Sequence, residues 1–551
     1  MDLHVKLLDS MTKVMPEAKL PVSRELLRGS ALRGEVYSFQ LAYRCSAGRL
    51  PDVRFELEGP LAPYTHTRVV GLIPAEMLNN DYFDENVIGE RPGLFPDPLY
   101  ELPEEGLMMF PQQYRALHIQ VRIPEDQAPG EYEFKLKLSQ EEKNVSAEKT
   151  FTLEIVDAVL PKQRIEHTEW FYCDCIAAQY NCEVWSEEFW QILENYFRHM
   201  ADHGITQILT PTITPPLDTA VGTERMTTQL LDIETDGKGN WSFNCDRLKR
   251  GVDLANKCGL RRFELAHIYT QWGAEFAPKI IAKTPEGVKQ VFGWETKSDS
   301  PEYTAFIRAL LTELTDFVVR EGLQDCCCMH ISDEPSPEAH ELYRKHLALV
   351  REVTRGLIPI CDALSHLGFF EEGENAYPVP SIAKMPTFRE AGIDYLWTYY
   401  CCGPELVTTN RFLNFPGGRT RVLGFQLFNY RIAGFLHWGY NFWNSRLSRK
   451  TIDPYRTPDA GALFPAGDPF IVYPGEGGKP LDSFRGELLR EAFQDHRALV
   501  LLAQLLGDEQ KAIDFLRELC GGELTISNYP VAEEAICTIR HAINMKIKSL
   551  L

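Results

Sequence analysis

The run Cys326-Cys327-Cys328-Met329-His330-Ile331-Ser332-Asp333-Glu334-Pro335 ends an apolar, strand-like stretch in two adjacent carboxylates, and a proline stops it. Two neighbouring acids repel each other and resist leaving water, so such a pair is costly as a stability device. Groups of this kind handle protons or face developing positive charge. If Met329 and Ile331 pack outward, then Cys328, His330, Ser332 and Glu334 share the inward parity of a strand. Asp333 has the outward parity, but it stands where the chain is already turning, so both acids can line one pocket. The bland alternative is a pair that salt-bridges loop arginines or caps the helix expected near Ser336.

Placing a strand end at a site requires a scaffold, and the chain is long enough for one. Its 551 residues exceed a single ordinary core and predict two or three domains. The composition, 44% hydrophobic and 25% charged, is that of a globular protein. A net charge of −21 argues against nucleic acid or an anionic membrane as partner. No apolar run approaches the roughly 20 residues of a membrane helix. The opening Met1-Asp2-Leu3-His4-Val5-Lys6 lacks the basic start and apolar core of a signal peptide, so a cytoplasmic location is expected. The fourteen cysteines then read as reduced thiols. Cys173-x-Cys175 is not a zinc knuckle, and no metal is expected.

Residues 1–160 show period-two alternation, as in 35–43, 114–121 and 132–138, with a turn at Pro129-Gly130; this predicts a β-sandwich. The proline-rich stretch from Pro92 to Pro103 is expected to be a loop between domains. After Leu160-Pro161 strand-like and helical runs alternate. Trp170-Phe171-Tyr172 reads as a strand, followed by a helix from Ser186 to His203 with Ser186 as its cap and Gly204 as its stop. Strands are expected at 205–209, 262–268, 326–332, 358–362, 393–399, 421–427 and 434–440. Helices are expected near 246–258, from Ser300-Pro301-Glu302 and from Ser336-Pro337-Glu338. Eight strands alternating with helices predict an α/β fold, a (β/α)8 TIM-like barrel over 165–475, and residues 480–551 read as an amphipathic helical tail. On such a barrel the C-terminal strand ends carry the site. That position favours the functional reading of Asp333 and Glu334 over the bland one.

Aromatics cluster at the same ends: Trp170 and Tyr172 at the first strand, Trp272 after the third, Trp397 and Tyr399 at the sixth, Trp438, Tyr440 and Asn441 at the eighth. Sugar rings stack on aromatics, and their hydroxyls need fixed polar partners such as Asp174, His330 and Asn441. Core packing explains any one of these aromatics better, but four strand ends alike less well.

Four ordered segments resemble glycoside hydrolase family 123 and its relatives of unknown function. They are His330-Ile331-Ser332-Asp333-Glu334-Pro335; Thr210-Pro211 with Pro215-Pro216-Leu217-Asp218-Thr219; Gly434 to Trp443; and Tyr473-Pro474-Gly475 with Asp482-Ser483-Phe484-Arg485 and Arg490 to Asp495. The resemblance implies a retaining exo-β-N-acetylgalactosaminidase in which the substrate's own 2-acetamido oxygen attacks the anomeric carbon, an exception to the two-carboxylate scheme. It implies that Glu334 is the general acid/base and that Asp333 orients the acetamido N–H. Tyr399 or Tyr440 is expected to hold the acetamido oxygen. No metal or organic cofactor is implied, and the partner is a β-linked 2-acetamido sugar. Two alternatives stand beside this reading. One is a glycosidase for a different sugar with its nucleophile elsewhere, Glu264 or Asp174; the other is a non-catalytic carbohydrate-binding protein on the same scaffold. Nothing in the sequence selects an oligomeric state.

Overall fold

The computed structural model describes residues 2–17, 19–20, 24–79, 86–369, 378–403 and 407–551. The fold is mixed α/β. Two five-stranded sheets come first. One runs, in spatial order, Leu3–Asp9, Val36–Cys45, Arg115–Arg122, Thr65–Ala75 and Gly93–Glu101. The other runs Arg28–Arg33, Val145–Val159, Gly130–Gln140, Leu50–Glu58 and Leu107–Met109. Along Gly130–Gln140, Phe134, Leu136 and Leu138 are buried while Lys135 is exposed and Lys137 half-buried, the signature of a strand with one dry face. The inner faces meet in one core, where Phe39 stacks on Phe151 at 4.3 Å. The stretch expected to be a proline-rich loop is strand Gly93–Glu101. It lies at a sheet edge, where Pro96 and Pro98 need no N–H for a further neighbour.

A parallel sheet follows, in the order Cys327–Met329, Arg262–Leu265, Gln207–Thr210, Glu166–Glu169, Gly434–His437, Trp397–Tyr399. Its two outer strands are connected by three isolated parallel bridges, Met329 to Ile360, Ala363 to Val379 and Ser381 to Tyr399. The expected strand at Trp170–Tyr172 is instead Glu166–Glu169, one step earlier. The expected strand at 421–427 is helix, Gly417–Arg421 and Leu423–Asn429, and the position before Trp397–Tyr399 is filled by the bridges at Val379 and Ser381. A short, mostly apolar run does not by itself distinguish a short strand from a buried helix. The helices between strands start as their sequences dictate. Ser186 Oγ accepts from Phe189 N ahead of Glu187–Asp202, and Ser300 Oγ accepts from Tyr303 N ahead of Pro301–Arg320. Gly259, at φ 105°, ends Asp246–Cys258.

The C-terminal segment departs most from expectation. Phe484–Leu506 is buried on most of its faces rather than amphipathic on a surface. Its charged residues are neutralised pairwise: Arg485 by Asp97, Glu487 by Arg68, Glu491 and Asp495 by Arg421. Arg540, on the last helix Glu533–Leu550, joins Asp495 to Glu35 of the first domain at 2.8 and 2.6 Å. Leu499, Leu502, Ile539 and Ile543 share one core with Leu8 and Leu32. The segment is the seam that joins the sandwich to the parallel sheet. No helix among the described residues is long and apolar enough to cross a membrane.

The seam is packed to backbone contact. A Cβ at Gly424 would collide with the Ala492 carbonyl oxygen of Phe484–Leu506, and backbone cannot step aside. Gly424→Ala is therefore expected to cost about 1–3 kcal/mol, read as a lowered urea midpoint at unchanged slope.

Candidate functional site

Backbone pairing continues past the ends of strands Arg262–Leu265 and Cys327–Met329. His330 N donates to Leu265 O (3.1 Å), Tyr269 N to Ile331 O (3.1 Å) and Trp272 N to Asp333 O (2.8 Å). Ser332 Oγ donates to Thr270 O at 2.8 Å. The two loops leave the sheet zipped together, and this fixes where the acid pair emerges. The loop after Gln207–Thr210 is tied in by Gln271 Oε1, which accepts from Asp218 N. Ser448 Oγ donates to Asp218 O, and Leu447 N donates to Asp218 Oδ2 at 2.8 Å. Asp218, Trp272, Glu334, Leu447 and Ser448 all have positive φ, between 40° and 65°. Strained backbone concentrated where loops from several strands meet is a mark of a functional site.

Asp333 is half-buried. Glu334 is exposed by area yet closely surrounded by protein, as a group at the floor of an open cleft is. Burial pushes the Asp333 carboxyl well above the usual carboxylate range, and the neighbouring Glu334 charge adds to this. Glu334 is raised too, by burial, while the Tyr399 hydroxyl donating to its Oε1 works in the opposite direction. The charge of Asp218 is felt at Asp333, and burial pushes Asp218 itself up to about 6. Coupled acids of this kind keep a proton near neutrality and can exchange it.

Of the residues expected to bind substrate, Tyr399 meets Glu334, and Trp272, 51% exposed, stands beside Asp333. The structure gives the others different work. Tyr440 turns toward helix Glu187–Asp202 and contacts His199 Nδ1 at 2.8 Å. Asn441 is consumed by the backbone of Tyr172, accepting from its N (2.8 Å) and donating to its O (3.1 Å). Tyr172 Oη donates to Trp438 O, and Trp438 Nε1 donates to Asp468. Asp174 is held by both arms of the Arg225 guanidinium at 2.6 and 2.9 Å. Trp397 is buried against Gly434, where any side chain would strike its ring. Trp170 is buried and donates to Glu264 at 3.0 Å. His330 is fully buried between Glu264 and Asp362. These residues hold the floor and walls.

Gln271, Asp362 and His267 are not among the residues that the sequence singles out, and Asp218 stands there only within the segment Pro215 to Thr219, with no role attached. Asp362 ends an apolar run, Ile358-Pro359-Ile360-Cys361, as Asp333 does, and that repeated pattern is the available signal. Three clusters bring metal-type donors together: His199, His203 and Asp482; Glu264, His330 and Cys361; His267, His330 and Asp362. In the first, Arg68 already occupies Asp482; in the other two, His330 already bridges both carboxylates. The first is a satisfied polar network; in the other two, Glu264 Oε1 and both ring nitrogens of His267 are buried with no hydrogen-bond partner among the described residues. A cavity of about 330 Å³ lies behind the loops after the second and third strands, lined by Pro216, Thr219, Arg225, Thr270 and Trp294.

A family model described as "Glycoside hydrolase 123, catalytic domain" matches residues 170–502. A solved structure of a family 123 glycoside hydrolase from Clostridium perfringens, described in terms of glycolipid glycan hydrolysis, is similar at 13% identity and a TM-score of 0.76, over 100% of this chain and 97% of that one. A β-glucuronidase from Parabacteroides merdae aligns at 11% identity over 83% of this chain and 53% of its own, with a TM-score of 0.32. An endo-β-1,4-mannanase from Thermotoga petrophila aligns at 11% identity over 61% and 77%, with a TM-score of 0.34. No curated protein matches the chain.

Proposed function

Since the chain belongs to glycoside hydrolase family 123, we propose that it is a retaining exo-β-N-acetylgalactosaminidase whose substrate supplies its own nucleophile. The observation that carries this reading is the consecutive pair Asp333-Glu334, both raised in proton affinity, with Glu334 open to the cleft and bonded to Tyr399. Neither carboxylate weighed as a separate nucleophile is available. Asp174 is bound to Arg225, and Glu264 is sealed under Trp170 and His330.

In this reading Glu334 protonates the glycosidic oxygen while the 2-acetamido carbonyl oxygen attacks the anomeric carbon and the aglycone leaves. Asp333 accepts the acetamido N–H and stabilises the charge on the oxazolinium ring so formed. Glu334, now ionised, takes a proton from water as that water opens the ring at the anomeric carbon. Two inversions give net retention. Tyr399 occupies Glu334 Oε1, leaving Oε2 for the leaving oxygen; of the two tyrosines expected at the acetamido oxygen, only Tyr399 faces this pair. Trp272 offers a platform at the rim, and Asp218 an acceptor for a sugar hydroxyl.

We read the scaffold as a (β/α)8 barrel over 165–475, with a sandwich over 1–160 and a helical segment from 480; the six-stranded parallel sheet and the parallel bridges at Ile360, Ala363, Val379 and Ser381 support that reading. We place the protein in the cytoplasm, acting on short glycans. A second reading rests on Asp218: its charge is felt at Asp333, and it is the further carboxylate offered there as the nucleophile of another glycosidase type.

A panel of chromogenic β-glycosides with and without the 2-acetamido group decides between them. Turnover is expected only for N-acetyl sugars, N-acetylgalactosaminide first. Equal cleavage of a plain β-galactoside, lost in Asp218→Asn, would replace substrate assistance with the second reading.

A further inference from the structure

The imidazole of His330 lies between two carboxylates. Its Nε2 is 2.7 Å from Glu264 Oε2, and its Nδ1 is 3.3 Å from Asp362 Oδ1. An ionised carboxylate only accepts, so Nε2 donates to Glu264, while Nδ1 stands at ion-pair distance from Asp362; a ring set between two carboxylates is favoured as the cation. The clamp is supported on every side. Trp170 Nε1 donates to Glu264; Tyr343 Oη donates to Asp362 Oδ2 at 2.7 Å; His267 stacks on the His330 ring at 4.3 Å. Asp362 Oδ1 also accepts from Ile331 N at 2.9 Å, two residues before Asp333. None of these groups reaches the cleft mouth, yet the whole assembly lies directly under the acid pair.

We infer that His330 is a positioning residue: clamped between Glu264 and Asp362, it anchors the turn that presents Asp333 and Glu334, and its charge favours the ionised form of Asp333 against the burial and the acids around it. The inference rests on the reading of this pair given above. The charge of His330 bears on Asp333 and not on Glu334, so the two adjacent acids feel it unequally. Charged and titratable groups face Asp333 from several elements: Glu334 beside it, Asp218 from the second loop, Asp362 from the fifth position, and the Tyr172 hydroxyl from the first loop. The carboxylates among them oppose its ionisation; His330 is the cation set against them. Burial works against charge on His330 itself, but Asp362 and Glu264 overturn it and hold the ring at about 10. His267, buried and next to that charge, is pushed the other way, well below the usual histidine range, so one ring of the stack is charged and its neighbour neutral.

The test is the pH profile of kcat/KM, measured on the 2-acetamido glycoside that the wild-type enzyme cleaves best, with thermal unfolding of each variant alongside. In His330→Gln the acid limb, which reports ionisation at Asp333, is expected to rise by about 1 pH unit, and the basic limb by less. In Glu264→Gln, which removes a negative charge and leaves His330 held by Asp362, the acid limb is expected to fall. A residue that merely packs would move neither limb, or both alike. Nitrogen-15 histidine NMR of the wild-type protein adds a readout free of activity and of the variants' folding. One imidazole, absent from His330→Gln or assigned by selective labelling if that variant does not fold, should keep both ring nitrogens protonated to about pH 9. A neutral His330 at pH 7, or acid limbs that stay in place in both variants, overturns the inference. Failure to cleave any 2-acetamido glycoside would sink the proposed function instead, and the NMR result would still judge the charge on His330.

Discussion

Glu334→Gln is expected to lower kcat by about 10²-fold or more on a 2-acetamido β-glycoside with a poor leaving group. The substitution keeps the shape of the side chain and an oxygen for the Tyr399 hydroxyl, so the turn at Glu334 should survive. What it removes is the proton. A sugar alkoxide leaves only when it is protonated, whereas a dinitrophenolate leaves readily without help, so the deficit should shrink on the activated substrate. Because the later step also needs a base at the same position, breakdown of the intermediate then limits turnover, and a burst of released phenolate should precede a slow steady state. Equal losses on both leaving groups would mean that Glu334 is structural.

Asp333→Asn is expected to cost a similar factor, about 10²–10³, by a different route. Once ionised in the substrate complex, the carboxylate accepts the acetamido N–H through a charge-assisted bond and faces the positive charge that develops on the oxazolinium ring. An amide offers a weaker acceptor and no charge. The loss should fall on kcat more than on KM, since the charge is met in the transition state. The same variant makes a stability prediction of opposite sign. Asp333 binds its proton more tightly folded than unfolded, since burial and the Glu334 charge raise its folded affinity. Wild-type stability contributed by this group is therefore full below its unfolded value of about 4 and declines as pH rises toward the folded value. The amide of the variant has no such titration, so at pH 8 Asp333→Asn should be as stable as wild type or more so. A variant that is both active within a few-fold and less stable at pH 8 would make Asp333 a packing residue.

These expectations rest on a part of the molecule that its sequence exposes well. An acid pair after an apolar run, a proline behind it and a helix start at Ser336 are local signals, and the structure keeps them local. The serine caps at Ser186 and Ser300 are legible for the same reason. The aromatic rim is less legible, because a side chain at a strand end changes face with a shift of one residue. Strand Glu166–Glu169 ends one residue before Trp170, and that offset helps turn an expected rim residue into a core one. Tyr440 and Asn441 follow strand Gly434–His437 by three and four residues, beyond the reach of its alternation, and they are captured by His199 and by the backbone of Tyr172. The role of Asp218 is hidden because it comes from three bonds to distant loops, at Gln271, Leu447 and Ser448, and no spacing rule joins those positions. The C-terminal motif reads as a signature, but its arginines and acids serve the seam between sheets. Sequence similarity marks a residue as kept without saying whether chemistry or assembly keeps it.

The seam also sets a timetable. Glu35 and Arg540 are both buried, bonded at 2.6 Å, and 505 positions apart. At ~5–20 residues per second, a ribosome delivers the arginine roughly 25–100 s after the glutamate. Throughout that interval the first sheets exist without the helix that covers Leu8 and Leu32 and neutralises Glu35. The sandwich must wait on the ribosome with an apolar face and a charge both uncovered, which makes it a natural client for a chaperone. A chain halted before position 533 would leave that state permanent, and its fate should be degradation or aggregation rather than a folded fragment.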